Sequence, residues 1–128
     1  MSYYSAKTVS LPFDETVTRT LEALKGQGFG VITRIDMKET LKQKLGVDFR
    51  AYVILGACNP SLAYEALQLE DKVGTMLPCN VIVQDVGDGQ TEVAAIDPVA
   101  SMRAIANAKL IEKAEIVRSK LQEAIQSL

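Results

Sequence analysis

The sequence predicts an α+β fold: a five-stranded, mostly antiparallel sheet with helices on one of its faces. Segments with alternating apolar residues, typical of strands, are interspersed with segments whose apolar residues recur at helical spacing. Asn or Asp followed by Pro marks two helix starts, at residues 59–60 and 97–98. Gly87-Asp88-Gly89 marks a tight hairpin, which places two strands side by side and antiparallel.

The first elements are a strand, a helix and a second strand. Residues 4–11 alternate weakly and predict strand one. Pro12 opens a helix, and Asp14 is predicted to be its N-cap because a carboxylate accepts hydrogen bonds from the free N–H groups there. The apolar residues of this helix share one face: Val17, Leu21 and Leu24. Residues 29–36 alternate again and predict strand two.

A short helix and a strongly apolar strand come next. Asp36 and Glu39 form a capping-box pattern, which predicts a helix that ends at Gly46. Residues 49–58 are the most hydrophobic run, and their Tyr, Val and Ile content predicts a buried strand. Asn59-Pro60 starts the third helix, because Asn caps it and Pro at the first position loses no hydrogen bond.

The last part of the chain holds two strands and a helical region. Residues 78–86 and 91–97 predict strands four and five. Asp97-Pro98 begins the helical region, in which Asn107 predicts a break or an internal cap between a short helix and a long one. The order is therefore β-α-β-α-β-α-β-β-α, with a predicted strand order of 1-5-4-3-2 in a single domain, residues 1–128.

The composition excludes several classes of protein. The 128 residues are 48% hydrophobic and 23% charged, as in an ordinary globular domain and unlike a disordered chain. The absence of histidine excludes His-based catalytic triads and most zinc sites, and two cysteines cannot complete a four-ligand zinc site. We find neither a secretory signal nor an apolar run long enough to span a membrane. We therefore expect a cytoplasmic protein with two free thiols and no membrane partner.

The charge is small overall but unevenly distributed. The net charge is −2, so no nucleic-acid partner is expected. Residues 25–50 hold six basic and three acidic side chains, whereas residues 60–97 hold one basic and seven acidic. These blocks are either solvated faces of different elements or a self-complementary surface that helps a dimer form. A sheet with helices on one face also leaves apolar surface exposed, and we predict a homodimer that covers part of it.

Consecutive blocks of the sequence resemble one protein family. The blocks are Gly28-Phe29-Gly30-Val31, Ile35-Asp36, Leu45-Gly46-Val47-Asp48-Phe49-Arg50, Ile54-Leu55-Gly56-Ala57-Cys58-Asn59-Pro60, Leu77-Pro78-Cys79-Asn80-Val81 and Ala95-Ile96-Asp97-Pro98. They resemble the uncharacterised prokaryotic domain-of-unknown-function family 302 over nearly the whole chain. The resemblance implies a compact α+β domain similar to half of the TATA-binding-protein fold, without implying DNA binding or any activity. The family usually has a proline before its last helix; here Asn107-Ala108 lacks one, which leaves a smooth bend as an alternative to a break.

The two Cys-Asn pairs are the main candidates for a functional site. Cys58 and Asn59 lie where strand three ends and a helix begins, so the N–H groups of the helix start would stabilise a thiolate. Cys79 and Asn80 begin strand four, and if strands three and four are neighbours, both pairs lie at one edge of the sheet. The pairs are either a pocket for a small anionic or thiol-reactive ligand, or two buried hydrophobes beside two capping asparagines.

Charged residues add weaker candidates. Arg50, together with Arg34, could hold a carboxylate or phosphate, or it could form a salt bridge with Asp36 or Asp48. Asp36 is also a candidate ligand-binding residue, although the capping box accounts for it. No catalytic residue and no metal ligand is assigned, and the sequence does not identify a cofactor.

Three functions remain open from the sequence. The leading one is a small homodimeric domain that binds a small anionic or thiol-reactive ligand near Cys58 and Cys79. The second is a thiol-dependent enzyme with Cys58 as the nucleophile. The third is a structural dimer scaffold without a ligand. The exposure of the two sulfur atoms separates these functions, since two exposed sulfurs in one cleft favour chemistry and two sealed sulfurs favour a scaffold.

Overall fold

The computed structural model describes residues 2–128 and contains one five-stranded sheet. The strands are Tyr4–Val9 (β1), Gly30–Asp36 (β2), Tyr52–Cys58 (β3), Cys79–Gly87 (β4) and Gln90–Ile96 (β5). The helices are Phe13–Gly26 (α1), Met37–Leu45 (α2), Pro60–Leu69 (α3), Pro98–Ser101 (α4) and Ala108–Gln126 (α5), with a 3-10 helix over Asp71–Met76. The strand order is β1-β5-β4-β3-β2 and every neighbouring pair is antiparallel, which confirms the predicted fold class and strand order.

One face of the sheet, called here the covered face, is buried beneath α1 and α5. In the middle of the three central strands, alternate residues point into this core with at most 2% of their surface exposed: Val53, Leu55, Ala57, Val81, Val83, Val93 and Ala95. Helices α1 and α5 fill the core from above with Val17, Leu24, Leu121, Ala124 and Ile125. This alternation is the period-2 pattern that predicted the strands.

A second, smaller apolar cluster lies beside the sheet, between α3, the 3-10 helix and the start of α5. Its buried members are Ala66, Val73, Met102, Leu110 and Ala114. Asn107 ties this region together, because its side chain accepts a hydrogen bond from the Leu110 N–H (3.1 Å) and donates one to the Leu69 carbonyl (3.2 Å). The chain between α4 and α5 is therefore a capped break and not a smooth bend.

Two details differ from the sequence predictions. Pro12, and not Asp14, is the N-cap of α1; Asp14 lies inside the first turn, where its charge faces the positive end of the helix dipole. Strand three begins at Tyr52 and not at residue 49, because its pairing with β4 begins at Tyr52, opposite Gln84, and its pairing with β2 begins only at Val53. The capping predictions for Asp36, Asn59 and Asp97 are confirmed.

Candidate functional site

The two cysteines lie next to one another at one end of neighbouring strands. β3 ends at Cys58 where β4 begins at Cys79, and the register places Ala57 directly opposite Cys79. The condition on which the sequence prediction depended, that strands three and four are neighbours, is met. Both cysteines are free thiols.

Both cysteines line a small cavity at the seam between the two apolar clusters. Its volume is about 40 Å³. The walls come from both clusters and from α3, and include Phe29, Ala57, Leu62, Ala66, Met102, Leu110 and Ala114. Since a buried water needs roughly 10–15 Å³ of such space, the cavity accommodates a few water molecules or a group of a few heavy atoms.

The two thiols differ in their exposure and therefore in their chemistry. Cys58 is partly exposed, whereas only 7% of Cys79 is exposed. Burial, followed by the neighbouring Cys58, raises the pKa of the Cys79 thiol from 9.0 to about 11. Cys79 is therefore a neutral thiol at physiological pH. The two cysteines are therefore neither both exposed nor both buried: Cys58 is partly exposed and Cys79 is buried beside it.

Asn59 fixes the backbone beside Cys58. Its side chain accepts a hydrogen bond from the Leu62 N–H (3.3 Å) and so caps α3, while Pro60 occupies the first turn of that helix. The side-chain nitrogen lies close to Gly28, where an added Cβ would be 3.1 Å from it. Gly28 also has a φ of +86°, so glycine is favoured there for its conformation as well as its size.

The chain as a whole matches a known family. The family model described as "Domain of unknown function DUF302" matches residues 5–128. The chain belongs to this family. The crystal structure of an uncharacterized conserved protein DUF302 from Bacillus stearothermophilus is similar to it, with a TM-score of 0.90 and 31% sequence identity over 98% of each chain. No protein with a curated description matches the chain. The family resemblance read from the Cys-Asn blocks is confirmed.

Lys113 of α5 lines the cysteine cavity of this DUF302 protein, and the sequence analysis missed it. Its Nζ lies 3.3 Å from Oε2 of Glu65 on α3, and 32% of the lysine side chain is exposed. In the sequence, Lys113 is one of several lysines on the polar side of a long helix. Only the packing of α5 against α3 brings it to the cavity that contains Cys58.

Asn80, predicted to belong with the cysteines, does not line this cavity. Successive residues of a strand point to opposite faces, so Cys79 enters the core and Asn80 points to the other face. Asn80 there lines a second and larger cavity of about 360 Å³. The strand assignment contained this information, because Cys79 and Asn80 are consecutive residues of β4.

Arg50 and Asp36 also lie away from the cysteines in this DUF302 structure. Both are at the opposite end of β3 from Cys58: Asp36 pairs with Val53, about 17 Å along the strand at roughly 3.3 Å per residue, and Arg50 precedes the first residue of β3, Tyr52. The Asp36 carboxylate accepts from the Glu39 N–H (3.0 Å) and caps α2.

Arg50 forms none of the salt bridges predicted for it. Its Nε donates to Gln84 Oε1 at 2.8 Å, and its guanidinium carbon lies 4.3 Å from the centre of the Phe49 ring. Asp48 pairs instead with Lys42, at 3.1 Å. The loop before β3 curls Arg50 back over the aromatic rings, a conformation that a continuous strand from residue 49 would not allow.

Two kinds of feature are absent from the described part of the chain. Among residues 2–128, no group of three or more Cys, Asp or Glu side chains is arranged to hold a metal ion. No helix in the same residues has both the length and the apolar character required to cross a bilayer.

Proposed function

We propose that this DUF302 protein is a small cytoplasmic binding or regulatory protein whose ligand meets the Cys58 thiol. The observation that carries the proposal is that Cys58 is partly exposed and lines the same apolar cavity as the buried Cys79. Cys58 directly precedes Asn59, the N-cap of α3, so it lies beside the positive end of that helix, which favours a bound anion.

The cavity restricts the ligand to a small group. A volume of about 40 Å³ admits only a few heavy atoms, so the bulk of a larger ligand would remain outside. The walls are apolar apart from the two thiols, the Asn59 amide and Lys113. We therefore propose a small thiol-reactive group, with Lys113 at the lining to receive any negative charge that the ligand carries.

The difference between the two thiols favours binding over dithiol catalysis. An enzyme in which Cys79 resolves an adduct on Cys58 needs the Cys79 thiolate as the attacking group. With a pKa of about 11, Cys79 is deprotonated in about one molecule in 10⁴ at pH 7. The chain also contains no histidine that could take the proton from it. An adduct on Cys58 is therefore expected to persist.

We further propose that the protein is a homodimer. β2 is an edge strand of the sheet, and apolar side chains around it are exposed, namely Ile32, Ile35, Leu45 and Val47. Such a cluster beside an open strand edge favours association with a second copy. The proposal includes neither nucleic acid nor membrane as a partner, in keeping with the net charge of −2.

Methyl methanethiolsulfonate, which transfers a thiomethyl group, provides a probe small enough for the cavity. The Cys58 thiolate attacks the sulfenyl sulfur of the reagent, a new S–S bond forms, and methanesulfinate leaves. The protein would be treated at pH 7 and analysed by intact mass and peptide mapping. We expect one thiomethyl group on Cys58, retained over time. Over the same reaction time, Cys58→Ser should take up no thiomethyl group. The matched variant Cys79→Ala should still be modified at Cys58.

Two other outcomes would contradict the proposal. If both cysteines react only after unfolding, they are core residues and the scaffold interpretation is correct. If the thiomethyl group is lost at pH 7 and the protein ends two hydrogens lighter, Cys79 has displaced methanethiol and formed a disulfide with Cys58, and the thiol-enzyme interpretation gains. On our proposal this displacement becomes fast only as the pH approaches about 11, where Cys79 ionises.

A further inference from the structure

On the face of the sheet opposite α1 and α5, called here the open face, apolar and polar side chains lie in separate rows. The register aligns its residues in rows across the strands. The central row is entirely apolar and runs Ala6, Ala94, Ile82, Ile54, Ile35. The row beside it, nearer the β4–β5 hairpin, runs Thr8, Glu92, Gln84, Tyr52. An apolar floor thus borders one line of polar and aromatic side chains.

The parts of these rows on β4 and β5, namely Ile82, Ala94, Gln84 and Glu92, line a groove with a volume of about 360 Å³. This falls within the roughly 300–1,000 Å³ typical of small-molecule sites. Tyr52 lies at one side, and Tyr3 and Tyr4 lie at the other, with their rings 5.0 Å apart in an edge-to-face arrangement. Tyr4 pairs with Ile96 of β5, and Ile96 is four residues from Glu92 on the same strand. Tyr4 and Glu92 are therefore about 13 Å apart along the strand direction.

Glu92 is the charged side chain among the residues that line the groove. It is partly buried, and its Oε1 accepts a hydrogen bond from Gln84 Nε2 at 2.9 Å. Among residues 2–128, no lysine or arginine lies within salt-bridge distance of it. A carboxylate on an apolar floor with aromatic rings at both ends attracts a cation that also has apolar surface.

Arg50 holds the polar row in place without forming a salt bridge to Glu92. Its Nε donates to Gln84 Oε1 (2.8 Å), which orients the Gln84 amide so that Nε2 donates to Glu92. The guanidinium group itself stays against Phe49 and Tyr52, with its carbon 4.3 Å and 5.6 Å from the two ring centres. Arg50 therefore lies outside the lining, and the second oxygen of Glu92 receives no hydrogen bond from the described residues.

We propose that the open-face groove binds an organic cation with a flat, apolar body. The cationic group lies against Glu92 and Tyr52, the body covers Ile82 and Ala94, and the far end reaches the Tyr3–Tyr4 pair. This site is on the opposite face of the sheet from the cavity of Cys58 and Cys79, and it does not depend on the function proposed for that cavity.

Ethidium, a flat aromatic cation that fluoresces more strongly in apolar surroundings, is a suitable probe for nucleic-acid-free protein. The anionic dye 8-anilinonaphthalene-1-sulfonate serves as its counterpart of opposite charge. We expect saturable ethidium binding that Glu92→Gln weakens by about tenfold, equivalent to about 1.4 kcal/mol. Glu92→Gln keeps the hydrogen-bond acceptor for Gln84 and removes only the charge. Glu123→Gln, on an exposed position of α5, is the matched control and should bind ethidium like the parent protein.

A second variant tests the location independently of charge. Ala94→Leu places a larger side chain in the middle of the groove and should reduce ethidium binding at least as much as Glu92→Gln. Thermal unfolding of each variant, followed by circular dichroism, verifies that it is folded. The proposal is overturned if ethidium binds Glu92→Gln and parent protein equally, if the anionic dye binds more tightly than ethidium, or if Ala94→Leu has no effect. It is also overturned if a second copy of the chain covers the groove, seen as a dimer that Ala94→Leu dissociates.

Discussion

The two faces of the sheet differ in how far the side chains of the same strands are buried. On the covered face, residues of β3, β4 and β5 such as Leu55, Val81 and Val93 are completely buried. On the open face, their neighbours in sequence, Ile54, Ile82 and Ala94, are only partly buried. The covered face therefore supplies most of the apolar burial that stabilises the fold. The open face can exchange solvent for a ligand or partner without unfolding the protein.

Cys79 and Asn80 show the same difference between two consecutive residues. Cys79 lies in the core, where burial suppresses its ionisation, and Asn80 lies in the solvent-accessible groove. Cys58 lies at the end of β3, where the chain leaves the sheet for α3 and the covered face stops. A thiol can be both packed and reachable only at such a boundary. This explains why the candidate thiol site lies at the end of the strands and not in their middle.

The largest expected effect tests the covered face directly. Leu55→Ala should lower the free energy of unfolding by about 2–5 kcal/mol, because Leu55 is fully buried among core residues. Ile54→Ala, the neighbouring residue on the open face, should cost at most about half as much, since the side chain is partly exposed. Urea unfolding of both variants provides the measurement. Equal losses would show that the open face is also covered in solution, for instance by a second copy.

The second prediction concerns pH and the buried thiol. In the unfolded chain Cys79 ionises near its ordinary pKa of 9.0, but in the folded protein it keeps its proton until about pH 11. The unfolded state therefore loses its proton first, and the stability of the fold decreases as the pH rises through this window. The decrease due to Cys79 amounts to about 2–3 kcal/mol in total.

Cys79→Ala isolates this contribution from other groups that titrate in the same range. Unfolding free energies of parent and variant would be measured at several pH values from 8 to about 11. The parent should lose about 2–3 kcal/mol more than the variant over this range, whatever the fixed cost of the substitution itself. Parallel pH dependences would mean that Cys79 is more accessible to solvent than its 7% exposure indicates.

The smallest effect on stability is expected from a substitution near the edge strand β2, which tests the proposed homodimer. Light scattering at micromolar concentration should give a mass near twice 13.9 kDa for the proposed homodimer. Leu45→Glu introduces a charge at an exposed residue, 69% accessible, and should shift the mass toward 13.9 kDa with a stability change within about 0.5 kcal/mol. Ile116→Glu on α5 is the control and should remain dimeric. A parent protein that is monomeric at this concentration would refute the dimer.

The sequence predicted features that depend on residues close together in the chain. The caps at Asp36, Asn59, Asp97 and Asn107 were correct, since each depends on a side chain reaching an N–H group two or three residues ahead. The cap at Asp14 was wrong because Pro12 starts the helix two residues earlier. The β3 boundary was wrong because the pairing of β3 with its neighbour β4 begins only at Tyr52.

Parts of the candidate site followed from sequence, and other parts did not. The Cys-Asn pairs at the ends of adjacent strands indicated that Cys58 and Cys79 would meet, because antiparallel neighbours bring the end of one strand to the start of the next. The same alternation would have separated Asn80 from Cys79, had it been applied to that pair. Lys113 and Glu65, in contrast, are nearly fifty positions apart on two helices, and no local pattern relates them.

By itself, then, the sequence determined the α+β class, the order of the strands, most of the caps and the pairing of the two cysteine positions. These depend on periodicity, on capping chemistry and on the family blocks. Only the tertiary structure decided that Cys79 is buried while Cys58 is partly exposed, that Arg50 stacks on Phe49, and that Glu92 lies in a groove. Exposure and ion pairing depend on which distant side chains fill the space around a residue. That information is distributed over the whole chain and is not contained in any short segment of it.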